Sequence, residues 1–347
     1  MAYTTINKST DYFNTKLYTG NGGSNRGITG VGFQPDWLWL KTRSKTNSHI
    51  LIDAVRGANR LRSNSTAAQA SVSGEFISFD TDGFTVTENA SNEMNNNSTT
   101  YASWNWKAGG GQGSSNTDGS INTTYTSVNT TAGFSISQYE GTGSNATFGH
   151  GLGVAPKMVI VKNIDATQNW FVYHQSIGAT KVIYLDLANA EQTLSQGWNN
   201  TAPTSSVVSI GTEAGVNQNG STHIAYCFAE KTGYSKIGSY QGSSGNSFIY
   251  TGFKPAFLLV KSNTYSSGKW RIYDNKRSTS GFNVIDDSLR PNTNGVEDDE
   301  VSLDFLSNGF KWRANYVDGD SGGTGYIYMA FAEAPLVGTN NIPATAR

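Results

Sequence analysis

The sequence predicts an all-β protein of three tandem β-sandwich or jelly-roll domains, on three observations. A ten-residue motif is written three times. Charged residues are only 15% while Gly alone numbers 39, alongside many Ser, Thr and Asn, the profile of a turn-rich chain with hydroxyl-bearing strand faces. Apolar residues alternate with period 2 and almost never at helical spacing.

The motif reads Gly32-Phe33-Gln34-Pro35-Asp36-Trp37-Leu38-Trp39-Leu40-Lys41, then Gly153 to Lys162, then Gly252-Phe253-Lys254-Pro255-Ala256-Phe257-Leu258-Leu259-Val260-Lys261. Proline fixes φ and donates no ladder hydrogen bond, so it belongs at the mouth of a strand. The unbroken apolar run that follows is the pattern of a strand buried on both faces, and each run ends on Lys.

Each copy opens with an aromatic strand and a Gly turn, at Lys16–Gly20, Ser137–Gly141 and Gly238–Gly242. After the Pro-led strand comes an aromatic one, clearest in Trp170-Phe171-Val172-Tyr173-His174 and Trp270-Arg271-Ile272-Tyr273-Asp274, weaker in His49–Asp53. Asp82-Gly83 and Asn308-Gly309 between apolar runs are hairpin signals. Each copy closes on an alternating strand, Tyr101–Trp106, His223–Phe228 and Tyr326–Phe331, in which period 2 puts Trp104/Trp106, Tyr226/Phe228 and Met329/Phe331 on the core face. At about 100 residues a copy can bury its own core. The boundaries read as an arm over 1–11, repeats over 12–108, 132–231 and 232–335, and a tail over 336–347. Residues 109–131 read as a flexible Gly/Ser linker, with Ile121 to Thr131 readable instead as an extra strand. Repeat 1 should then hang loosely and repeats 2 and 3 sit rigidly together.

Net charge is -1 with no basic run, so nucleic acid is not an expected partner. Cys227 stands alone, so packing and hydrogen bonds must hold the fold. The first residues lack a signal peptide's charged and apolar regions, and no apolar stretch is long enough to span a membrane as a helix. No catalytic or cofactor motif is present, and His49, His150, His174 and His223 share no metal-ligand spacing and read as surface or strand-edge residues. The run Glu297-Asp298-Asp299-Glu300 reads as a solvated loop, with Asp298, Asp299 and Glu300 as candidate cation ligands. Asp53-x-x-Arg56 and Asp274-x-x-Arg277 recur, either as a recognition spot or as an ion pair fixing a turn; copy two has His174 and Ile177 there. Among the aromatics, Trp198 and Trp312 lie near loop ends and are the first candidates for exposed ligand platforms, followed by Tyr326 and Tyr328 on the outward face of the last strand.

The combination of Asn129-Thr130-Thr131-Ala132-Gly133-Phe134, Gly149-His150-Gly151-Leu152-Gly153, Ala225-Tyr226-Cys227-Phe228-Ala229-Glu230 and Tyr328-Met329-Ala330-Phe331-Ala332-Glu333 resembles a family of repeat modules in virion proteins of marine bacteriophages, often tail proteins and tail fibres. The resemblance covers nearly the whole chain. It implies concanavalin-like or jelly-roll sandwiches and a non-enzymatic structural role in the virion. The expected function is host-surface attachment by a tail fibre or tail-associated protein through lectin-like domains. The alternative is a capsid decoration or head-fibre protein. Expected partners are other virion proteins, a host surface glycan and further copies of the chain in a homotrimer; no cofactor is expected.

Overall fold

The computed structural model describes residues 3–88, 93–278 and 283–337, and these form an all-β molecule of antiparallel sheets with sandwich architecture. Each repeat contributes two sheets, of six and three strands in repeat 1, seven and two in repeat 2, and four and four in repeat 3. In repeat 1 the larger sheet runs in the order Phe13–Thr19, Thr100–Trp106, Trp37–Thr42, Ile50–Asp53, Asn59–Arg62, Ala70–Ser71. The same core order recurs as Phe134–Glu140, Thr222–Phe228, Met158–Asn163, Phe171–His174 in repeat 2, and as Ser235–Gln241, Gly325–Pro335, Phe253–Ser262, Arg271–Asp274 in repeat 3. The closing strand is therefore central, between the opening and Pro-led strands. Equivalent residues follow from the register: Trp37, Met158 and Phe257 stand opposite Trp106, Phe228 and Phe331.

The two faces of the Pro-led strand do different work. Leu38 and Leu40, Val159 and Val161, and Leu258 and Val260 face the second sheet of their own repeat. Trp37 and Trp39, Met158 and Ile160, and Phe257 and Leu259 face away from it, into one apolar cluster shared by all three repeats. Trp104, Trp106, Tyr226, Phe228, Met329 and Phe331 join that cluster, so the face expected to be each domain's own core is the packing surface between repeats.

The repeats close into a ring by equivalent contacts. The Gln69 N–H donates to Ile164 O, the Glu191 N–H to Asn263 O and the Glu297 N–H to Arg43 O, at 2.9, 2.8 and 3.0 Å. In each case the acceptor lies two residues beyond the motif Lys. Repeat 1 touches 2, 2 touches 3, and 3 touches 1: a heterologous contact that closes after three steps, here within a single chain.

Repeat 1 is accordingly not loosely hung. The carboxylate of buried Asp36 accepts the N–H groups of Ala108, Gly110 and Gly111 at 2.7, 3.0 and 2.7 Å, which pins the start of the predicted linker. Further on, Tyr125–Asn129 pairs with Phe134–Glu140 as an edge strand, and the Ile121 N–H donates to Thr147 O, covering the outer edge of Ala146–Gly149. Backbone donors given fixed acceptors cannot behave as a random coil. The N-terminal arm is also tied down: Ile6 lies in the shared cluster and the Tyr3 hydroxyl donates to Gly252 O at 2.9 Å. The tail from residue 338 lies outside the described residues.

Candidate functional site

The sequence-predicted platforms are interior residues. Trp198, on the short helix Ser195–Trp198, packs edge-on to Tyr173 and is 1% exposed; Trp312, on Gly309–Trp312, packs edge-on to Tyr273 and is fully buried. Tyr326 and Tyr328 lie on the inner face of repeat 3 and are also buried. A closing strand at the centre of a sheet covered on both sides has no outward face, which is why Tyr326 and Tyr328 cannot be platforms, while Trp198 and Trp312 are turned inward onto Tyr173 and Tyr273. The structure does not bring them together as a site.

The acidic run is consumed by arginines. Arg271, fully buried, donates to Asp298, Asp318 and Glu300, and its guanidinium stacks over Tyr316 at 4.8 Å. Arg290 pairs with the same Asp298 and Glu300. The Tyr316 hydroxyl, with Arg271, pulls the Glu300 carboxyl down to about 2. Asp298 and Glu300 thus serve as counter-ions rather than as cation ligands, and Asp299 is exposed beside them. Among the described residues no cluster of three or more His, Cys, Asp or Glu has a metal-holding arrangement.

The Asp-x-x-Arg pairs are buried ties between repeats. Asp53–Arg56 of repeat 1 meets Tyr226 of repeat 2, whose hydroxyl donates to Asp53 Oδ2 at 2.7 Å. Asp274–Arg277 of repeat 3 meets Trp104 of repeat 1, whose Nε1–H donates to Asp274 Oδ2 at 2.9 Å. The residue of repeat 3 equivalent to Trp104 and Tyr226 is Met329, which has no N–H or O–H to offer an aspartate. The facing residue of repeat 2 is His174, whose Nε2 lies 3.3 Å from Tyr328 O while its Nδ1 accepts the Ser176 N–H at 3.2 Å. That arrangement needs the neutral tautomer. A donor-bearing partner thus goes with Asp, and a donor-free partner with His.

Burial lowers the His174 pKa to about 4 and that of His223, also buried, to about 4. All four histidines are interior, correcting the surface reading. Because folding excludes the proton while the unfolded chain binds it near pH 6.5, stability is full above that pH and declines as pH falls towards 4, by roughly 3 kcal/mol per histidine. Urea midpoints measured from pH 7 to 4 should fall, and His174→Gln should flatten the fall; an unchanged profile would count against a neutral, buried His174.

The motif lysines are interior as well. Lys41, Lys162 and Lys261 place Nζ on the carbonyls of Thr42, Asn163 and Ser262, at 2.7, 2.8 and 2.6 Å. Lys162 and Lys261 also reach into the neighbouring repeat, to Thr66 O and Ala188 O. Burial lowers their pKa values, to about 7 for Lys41 and Lys261 and about 8 for Lys162. Lys162 and Lys261 are thus seam ties, whereas Lys41 is held within repeat 1 by the Thr42 and Lys45 carbonyls.

Among the clefts open to solvent, one of about 590 Å³ lies where repeats 3 and 1 meet, lined by Arg43, Asp287, Glu297, Asp298 and Asp299, and one of about 540 Å³ lies where repeats 2 and 3 meet, lined by Tyr3, Tyr250, Lys157, Glu230, Lys231 and Lys236. Glu230 accepts from Lys157, lies 3.3 Å from Lys236 and takes the Ile237 N–H at 2.8 Å. Tyr250 is 53% exposed, on the edge strand Phe248–Tyr250.

A family model described as a domain of unknown function (DUF7483) matches residues 8–335. The chain belongs to the DUF7483 family. The DUF7483 match begins one residue before the turn Ser9–Asp11 and ends on Pro335, the last residue of the final closing strand, so the family unit is the whole ring rather than one repeat. No curated protein and no solved structure matches this DUF7483 chain. Sequence reasoning missed Phe248 and Tyr250, although aromatic–Ile–aromatic in Phe248-Ile249-Tyr250 is a readable signal: with Ile249 inward, period 2 turns both rings out.

Proposed function

We propose that this chain is a non-enzymatic structural protein of a bacteriophage particle, a tail fibre or tail-associated protein that displays a lectin-like surface for host attachment. The observation that carries the reading is how the ionisable groups are used. The Asp–Arg pairs, His174 and the motif lysines Lys162 and Lys261, residues from which chemistry could be built, tie one repeat to the next. Such a scaffold is suited to holding a surface rigid rather than to turning over a substrate. The polar cleft with its exposed Tyr250 is the surface it would hold.

A second reading, capsid decoration or head fibre, is favoured by the ring itself, because three quasi-equivalent repeats around one axis suit a threefold position on a capsid. The contacts that would join three chains are already made inside one, so a homotrimer would have to join through outer surfaces. Quantitative mass analysis of purified virions tests both readings. Low tens of copies or fewer support the tail role, and hundreds support the capsid role. Absence from purified particles overturns both.

A further inference from the structure

We propose that the cleft between repeats 2 and 3 binds an acidic saccharide, with a sugar ring stacked on Tyr250 and its carboxylate held by Lys231. The inference rests on the attachment reading and gives its ligand a chemical class.

The charge of the cleft is the first argument. Lys157, Lys231 and Lys236 against Glu230 leave a surplus of two positive charges on a chain whose net charge is -1. Lys157 and Lys236 are both committed to Glu230. Lys231 has no carboxylate within ion-pair distance among the described residues, and its stem packs on Gly133, where an added Cβ would come within 3.0 Å of Lys231 Cε. An ammonium held this way has lost hydration and gained no counter-ion, and its pKa is lowered by burial. A bound carboxylate supplies the missing partner.

The second argument is the aromatic wall, which only repeat 3 possesses. Tyr250, which lines the cleft, is 53% exposed, and Phe248, two residues before it and outside the cleft lining, is 46% exposed. The corresponding positions, fixed by the pairing of Ile28, Phe148 and Ile249 with Phe84, Val208 and Phe310, are Gly27 and Thr29 in repeat 1 and Thr147 and Gly149 in repeat 2. In repeat 2 that edge is also covered by Ile121, whereas among the described residues no such bridge lies on the edge of repeat 3. Gly252 seats the wall: its φ is +83°, and a Cβ there would lie 2.5 Å from the Tyr3 hydroxyl, so Gly lets Tyr3 close against the backbone beside Tyr250.

A single ring facing a single free ammonium fits a sugar acid better than a polyanion. A pyranose offers an apolar face to the tyrosine and one carboxylate to the lysine. Nucleic acid would need a basic track, which the cleft lacks. The cleft volume lies within the range of small-ligand sites.

Trigalacturonate is the probe, with maltotriose as the uncharged control, titrated by calorimetry and by NMR. Trigalacturonate should bind and should weaken as salt is raised, and maltotriose should bind much less. Lys231→Gln and Tyr250→Ala should each weaken binding about tenfold or more, the scale of one lost charge-assisted or stacking contact. Tyr265→Ala, which removes an exposed ring outside the cleft, should leave it unchanged. Equal binding of both sugars, no binding, or wild-type affinity in both cleft variants overturns the inference. Circular dichroism of each variant separates misfolding from lost contacts. Failure here in a chain found in virions sinks the ligand class alone, while absence from virions sinks the attachment reading and leaves the titration standing.

Discussion

Asp274→Ala is expected to destabilise the protein by about 3–5 kcal/mol, the range for breaking one side of a buried ion pair. The Asp274 carboxylate accepts from Arg277 Nε at 2.5 Å, from Trp104 Nε1 at 2.9 Å and from the backbone N–H groups of Lys276 and Arg277 at 2.9 and 3.1 Å. Both members of the pair are fully buried. Alanine would strand the guanidinium with only Glu297 and the Ile272 carbonyl, and would leave an indole N–H unsatisfied at the seam between repeats 3 and 1. Asp11→Ala is the matched control. It breaks the exposed Lys8–Asp11 pair at 2.7 Å and should cost under about 0.5 kcal/mol. Urea unfolding of the two variants measures the contrast. A loss below about 1 kcal/mol for Asp274→Ala would mean that the pair is not the tie described.

Trp106→Ala should be as damaging, by about 3–5 kcal/mol, because it empties the middle of the shared cluster. The Trp106 ring meets Phe13 and Trp37 of its own repeat at 4.9 and 4.6 Å, and Phe257 and Phe331 of repeat 3 at 5.4 and 5.8 Å. The cavity would open on two repeats at once, so neither could relax into it alone. Trp106→Phe should cost distinctly less, since Phe228 and Phe331 show that phenylalanine is accommodated at this position in the other two copies. Equal losses for the two variants, read from the same urea curves, would contradict the cavity argument.

The strand inventory was legible because its signals are local. Proline ahead of an apolar run, Asp-Gly and Asn-Gly turns and period-2 alternation each act within a few residues, and the Pro-led runs are indeed buried on both faces. What covers the second face is not a local property. A Trp37 or Phe257 side chain reads as core whether the facing sheet belongs to its own repeat or to the next, so separate cores and a shared one look alike in sequence. The same ambiguity hid the candidate site. Trp198 beside Gly197 and two asparagines has the composition of a loop tip, but the short helix folds the ring down onto Tyr173. The Gly-rich linker looked mobile because its restraint, the Asp36 carboxylate, lies more than 70 residues away in sequence. His174 at the place of Asp53 and Asp274 looked like the loss of a shared role, and only its contact with the Tyr328 carbonyl of repeat 3 turned it into the same role in different chemistry.

The central claim is that three repeats form one closed structural unit, tied at every seam by backbone, polar side-chain and aromatic contacts. Differential scanning calorimetry of the intact chain tests it most directly. A single transition whose calorimetric enthalpy equals its van't Hoff enthalpy is the result expected, because no repeat can leave the ring without exposing the shared cluster. Three separable transitions, or a repeat 1 that melts while 2 and 3 stay folded, would show tandem domains in contact rather than a ring.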